Sequence, residues 1–366
     1  MNGPLHGILR LIGSRWLLLL VAVMMGGGIL PSKAMALELF NLDSIAAMGK
    51  FPRFCVNTYY WGDKFFNGYD TVYVNPTGYK FNIKVKANSW LESNTFRFDH
   101  NDYQMDMVSY PSTSAGVWLT YMAVSVGYDV NVSKLLALSR SSRKRFNAQF
   151  NCMLFAADFY IQNSNSRMKI RDFGPVHDMQ SVDEPFNRIS NSSWGLDTYY
   201  FFNHKHYSQS AAFSYSRIQR RSSGSLFAGL SFSGQTLNFD FSELPDYMRD
   251  KIASTLPDYR FHVHAHNYAF KLGYGYNWVL SRKCVIGISE APSIGIRHGY
   301  VNDPDGKHNS LYGFNRFGFS FIFNNDHWFA GLIGQVDTNL FTGGNHSLLA
   351  NNISFEASVG YRFNLW

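Results

Sequence analysis

Charge is scarce in this chain. Asp, Glu, Lys and Arg make up 16% of its 366 residues, against roughly a quarter in ordinary soluble domains, which argues against a surface solvated on all sides. Cysteine is almost absent. Cys55, Cys152 and Cys284 form an odd set, so at least one thiol stays unpaired and a disulfide-stapled scaffold is excluded. Cys152 and Cys284 have apolar neighbours two residues away, as small lipid- or core-facing residues do, and the pairing of the three stays open. Beyond Trp16–Leu30 there is no apolar run long enough for a membrane helix, which needs about 20 residues. Phosphate loop, dinucleotide fingerprint, H-E-x-x-H and G-x-S-x-G elbow are all missing. The net charge of +7 comes from scattered Lys and Arg without a recognition motif, so no nucleic-acid partner is indicated.

What the chain has in abundance is aromatic side chains, 17% of the total, set in alternation. In the closing stretch Ile353, Phe355, Ala357, Val359, Tyr361, Phe363 and Leu365 alternate with Ser354, Glu356, Ser358, Gly360, Arg362 and Asn364. In 267–279 the even positions Tyr268, Phe270, Leu272, Tyr274, Tyr276 and Trp278 are apolar, and Asn267, Lys271 and Asn277 lie between them. Phe317, Phe319, Phe321 and Phe323 oppose Arg316, Gly318 and Ser320; Phe81, Ile83 and Val85 oppose Lys80, Asn82, Lys84 and Lys86. Period-two alternation means strands with one greasy face. A sandwich core about 10 Å thick would be overfilled by so many rings, whereas lipid has no volume limit. A sheet that enters lipid must close on itself to satisfy its backbone, so the pattern predicts an all-β fold, a transmembrane antiparallel β-barrel.

The N-terminus carries Arg10 and Arg15, then the apolar run, then Ala34-Met35-Ala36, the form of a secretory signal with its small-residue cleavage site. Residues 1–36 are therefore read as a signal peptide, 37–78 as a periplasmic lead-in or lumen plug, and 79–366 as the barrel. Strands are expected near 80–92, 113–129, 145–162, 207–219, 223–238, 261–279, 282–298, 310–324, 327–341 and 350–365. Weaker segments near 103–110 and either 167–173 or 195–203 raise the count to twelve, an even number as bacterial barrels use. Short links at 280–282 and 324–326 alternate with longer ones at 239–260, 299–309 and 342–349, as periplasmic turns alternate with extracellular loops.

One segment resembles a known family. Tyr199-Tyr-Phe-Phe-Asn-His-Lys-His-Tyr-Ser208, Ala211-Ala-Phe213 and Gln219-Arg-Arg-Ser-Ser-Gly-Ser225, with Asp70-Thr-Val-Tyr-Val74 and Gly360-Tyr-Arg-Phe-Asn-Leu365, are similar to an uncharacterised family of Gram-negative bacterial proteins, the domain of unknown function numbered forty-four twenty-one. The resemblance implies an outer-membrane barrel and carries over no catalytic residue. From its residues alone, Gln219–Ser225 is a compact polar hairpin turn, whose Arg220 and Arg221 could meet a lipid phosphate or a periplasmic partner. His262, His264 and His266 alternate on one face, but they share it with Tyr268 and Phe270 and no carboxylate completes a metal set.

The function expected is that of a non-enzymatic outer-membrane barrel, either a narrow anion-preferring channel or a structural or surface-binding barrel, with outer-membrane lipids, lipopolysaccharide and the barrel-assembly machinery as partners and no cofactor. Lys84, Lys86, Lys271, Arg316 and Arg362, opposed by few acids such as Glu356, are expected to line a basic lumen. The alternative is a lipid-modifying enzyme of lipase or acyltransferase type, with Ser208 or Ser210 and His204 or His206 at the rim. If the export signal is cut after Ala36, N-terminal sequencing of the protein from the outer-membrane fraction will start at Leu37; a product that retains residues 1–36 would contradict it.

Overall fold

In the computed structural model, residues 65–98, 102–133, 142–301, 308–342 and 346–364 are described, together with residues 53 and 57. The signal segment, Cys55 and the last two residues lie outside this set. The chain parts into two units, and the second, Gly62–Leu365, contains the whole sheet.

Its strands are β1 (Val74–Pro76), β2 (Phe81–Phe98), β3 (Tyr103–Ser109), β4 (Ser112–Tyr121), β5 (Val124–Asn131), β6 (Ser142–Asn151), β7 (Phe155–Pro175), β8 (Gln180–Phe201), β9 (Arg217–Gln219), β10 (Ser223–Asp240), β11 (Arg260–Val279), β12 (Cys284–Val301), β13 (His308–Asn324), β14 (Trp328–Thr342) and β15 (His346–Phe363). Helix α1 (Gln209–Phe213) precedes β9 and α2 (Asp246–Ile252) precedes β11. Neighbouring strands pair antiparallel, and β15 returns to β2 in a ladder from Phe363↔Phe81 to His346↔Phe98. Among the described residues β2, β4 to β8 and β10 to β15 close a ring of twelve.

The ring is not uniform along its axis. At the end where β2 begins and β15 ends, β2 pairs with β4 and β7 with β6. Toward the other end Ser93–Phe98 of β2 and Met168–Pro175 of β7 pair with β3 instead. There β3 stands in for β4, β5 and β6, so twelve strands become ten and the barrel tapers, because diameter follows strand number.

The chemistry of the two faces inverts at the same height. In β11 Phe270 is 50% exposed and Lys271 0%, so the lower strand has its rings outside and its charge inside. Higher up, Phe261, Val263 and Ala265 are buried inside while His262, His264 and His266 take the outer face. The lower half faces lipid; the upper half is built like a water-soluble barrel. Exposed ion pairs Arg97–Asp102, Lys169–Asp183 and Arg188–Asp240 decorate the outside of the upper half. Its inside is an apolar cluster in which the Phe96 ring meets Phe239 and Phe261 at 4.9 Å each, and Met248 and Ile252 of α2 seal it from above.

At the end where β2 begins the β8 to β10 connection folds inward. Ser208 caps α1 by accepting from the Ala211 N–H at 3.3 Å, a bond that satisfies one of the helix's unpaired donors. Ala212 rests against bare Gly287, where a Cβ would lie 2.6 Å from its methyl, and a Cβ at Gly275 would meet the Tyr207 hydroxyl. β9 pairs with β1, Gln219 opposite Val74, which places residues 74–76 on this plug.

Four expectations are corrected, the first being the single strand at 145–162, which is the end of β6 and the start of β7. The strand expected at 207–219 is the plug. Gln219–Ser225 does not turn between two wall strands, because Gln219 is buried and ends β9 while Ser223 opens β10. The segment 113–129 is two strands, β4 and β5, joined by a turn with Met122 at φ 52°. Phe319, 44% exposed, lies in the lipid-facing band, whereas Ser320 is fully buried near Gly287 under α1 and lines no open lumen. Phe319→Arg is expected to cost about 2–4 kcal/mol and Phe319→Leu little, as read by urea titration of protein folded into vesicles.

Candidate functional site

Between the apolar cap and the plug the barrel encloses a polar layer built by inward positions of the wall strands. Two cavities of about 160 and 210 Å³ lie in it and share Arg143, Arg145, Arg316 and Asn352 in their walls. Lys84 reaches Glu356 at 3.3 Å, and Lys86 reaches Glu356 at 3.1 Å and Asp129 at 3.2 Å. On the facing wall Lys271 meets Asp197 at 2.8 Å, and Arg316 bridges Asp197 at 3.2 Å to Asp337 at 2.8 Å. The Ser231 hydroxyl donates to Asp197 at 2.6 Å. Lys271 is wholly buried, so its charge is tolerable only because Asp197 lies against it.

Lys84, Lys86 and Glu356 therefore come together on one wall, and Lys271 and Arg316 on another. Arg362 belongs elsewhere. It donates to the Tyr215 carbonyl at 2.7 Å and to the Asn324 side chain, fixing the plug. The basic lumen is corrected: Asp129, Asp158, Asp197, Asp337 and Glu92 line the same cavities, and each of the three lysines has a carboxylate partner. Parity could have revealed Asp129, which stands between outward Tyr128 and Val130, and Asp337 likewise. Arg143 and Arg145 differ from the lysines in having amide partners, Gln162 Oε1 at 2.6 Å and Asn147 Oδ1 at 2.7 Å. Their guanidinium groups lie over Trp90 and Tyr160 at 4.9 and 4.8 Å.

Plug and wall are joined through one amide. Gln219 Oε1 accepts from Ser208 N–H at 3.0 Å and Asn277 Nδ2 at 3.1 Å. Its Nε2 donates to the carbonyls of His206, Arg221 and Tyr73 at 2.6, 2.9 and 3.3 Å. A buried amide so fully used is costly to replace.

Ser208 and Ser210 are buried in the plug with their hydroxyls 3.0 Å apart, while His206 Nδ1 meets Asn203 at 3.0 Å. Among the described residues neither serine hydroxyl is hydrogen-bonded to His204 or His206. His264 meets Thr236 at 2.9 Å on the outer face. Cys152 and Cys284 are free thiols, Cys152 bonded to the Phe155 carbonyl at 2.9 Å.

A closed antiparallel ring with an apolar band outside and paired charges inside defines a transmembrane β-barrel of the outer-membrane type. Residues 68–363 match the family described as Domain of unknown function (DUF4421), and the chain belongs to that family. No curated protein matches it in sequence. Similar solved structures include the outer membrane protease OmpT from Escherichia coli, at 10% identity and TM-score 0.35 over 77% of this chain and 96% of that one. The beta domain of the Bordetella autotransporter BrkA is 9% identical with TM-score 0.33, over 76% and 99%. OprG from Pseudomonas aeruginosa is 10% identical with TM-score 0.27, over 79% and 100%. The barrel assignment rests on the closed ladder and its two faces.

Removing one member of the buried pair should hurt more than removing both. Asp197→Asn is expected to cost about 3–5 kcal/mol in urea unfolding, and Asp197→Leu combined with Lys271→Met distinctly less; equal losses would mean that the pair is not buried.

Proposed function

We propose that the protein is a non-enzymatic barrel of the bacterial outer membrane that is closed at both ends and serves as a structural or surface-binding scaffold. It reaches that membrane after loss of residues 1–36, and its partners there are outer-membrane lipids, lipopolysaccharide and the assembly machinery. The observation that carries the reading is the apolar cluster of Phe96, Phe239, Phe241 and Phe261 across the ten-strand end. A hydrophobic constriction sheds water and with it ions. At the other end α1, Tyr207 and Tyr215 fill the lumen, with the Tyr215 hydroxyl 2.6 Å from Ser358.

The pairing of Lys84, Lys86 and Lys271 with carboxylates weakens the anion-channel reading, since the interior offers no net excess of the charge that would select anions. Burial of Ser208 and Ser210 within the plug supports the non-enzymatic reading over a rim hydrolase. Purified protein inserted into planar lipid bilayers is expected to give no stepwise conductance at moderate voltage. A steady conductance from the folded, heat-modifiable wild type would overturn the proposal.

A further inference from the structure

We propose that the rim at the end where β2 begins and β15 ends holds the phosphate of an anionic phospholipid, gripped by Arg220, Arg221 and Arg282. These arginines share the wall of a groove of about 850 Å³ with Val72, Asn75 and Ile218, and none of the described residues that line it is a carboxylate. All three are exposed, and none forms an ion pair with a carboxylate among the described residues. Two come from the plug and one from the β11 to β12 turn of the wall, so the groove is the seam between them.

Local structure holds the seam open to solvent but fixed in place. The Arg220 N–H donates to the Tyr73 carbonyl at 2.7 Å, the Arg221 guanidinium lies 5.9 Å from the Tyr73 ring, and Ser222 Oγ accepts from the Val279 N–H at 2.9 Å. Among the described residues Lys80, Lys205 and Lys283 add positive charge to this end, against Asp70 and Asp326.

The height of the groove names the occupant. Arg282 follows directly on the lipid-facing edge, two residues past Leu280, which is 60% exposed, and four past outward Trp278. Val72, in the wall of the groove, is also exposed. Acyl chains lying on this apolar edge would bring their phosphate to the three guanidinium forks, whose planar donors match phosphate oxygens two at a time. Three cations with no carboxylate partner among the described residues favour a headgroup of net negative charge, such as phosphatidylglycerol, over phosphatidylcholine, whose own ammonium cancels the phosphate. Such a lipid would bolt the plug to the wall. The inference needs the barrel to sit in a membrane and is independent of whether the interior conducts.

The test is native mass spectrometry of the purified full-length protein offered equal amounts of phosphatidylglycerol and phosphatidylcholine. The wild type is expected to keep phosphatidylglycerol selectively. Arg220→Gln, Arg221→Gln and Arg282→Gln together should abolish the preference, each arginine accounting for roughly fivefold in retention, with heat-modifiable mobility unchanged. Should the triple variant fold poorly, Arg282→Gln alone, in an exposed turn, gives the same reading at smaller amplitude. Equal retention of the two lipids by the wild type, or a preference that survives in the folded variants, overturns the proposal. Cell-wall glycan fragments that sediment with the wild type but not with the triple variant, in the absence of any lipid preference, overturn it in favour of the glycan.

Discussion

In hydrocarbon an unpaired sheet edge leaves N–H and C=O groups that no water can satisfy, each at a cost of several kcal/mol. The β15 to β2 ladder removes both edges at once, and the rest of the molecule is what closure demands. A closed ring fixes an interior volume, and lipid-facing rings on one parity force polar residues onto the other. Those residues then have to be matched among themselves. Lys271 with Asp197, and Lys84 and Lys86 with Glu356, are the result: charges that the wall turns inward and that nearby strands of the same wall neutralise.

Buried pairs of this kind add little net stability, because desolvation offsets their attraction. Their value here is positional. Asp197 ties β8 to β11 through Lys271 and to β13 through Arg316, and Arg316 goes on to Asp337 of β14. A one-residue slip in any of these ladders would turn a charged side chain to lipid. The pairs thus specify register in a sheet whose lipid-facing residues, mostly apolar, would tolerate several.

Strands with rings on one face and lysine or arginine on the other were legible at 267–279, 316–323 and 80–87, because lipid and lumen impose opposite chemistry on alternate residues. The turn at Met122-Ala123 was not, since it lacks Gly, Pro, Asn or Asp and simply joins two alternating runs. The plug was hidden for a related reason. Tyr207, Ala211, Phe213 and Tyr215 mimic strand alternation although they pack on the inside. The available signal was on the wall, where Gly275, Gly287, Gly318 and Gly331 leave the inner face bare for the plug to approach. The balancing acids were legible only by combining strands, because each inward charge meets its partner on a different strand.

The strand β3 has a consequence for the lipid itself. Because it replaces β4, β5 and β6 in the upper ring, those three strands are only 8 to 10 residues long, and the outward stripe of β5 runs from Val124 to Val130. Four strands away round the ring the stripe of β14 runs from Trp328 to Leu340. At about 3.3 Å per residue and a tilt near 40° the short arc spans roughly 15 Å of hydrocarbon and the long arc about 30 Å. Mismatch of that size is relieved by compressing the bilayer. The barrel therefore carries a thinned wedge of membrane along one side, and its surroundings have a front and a back.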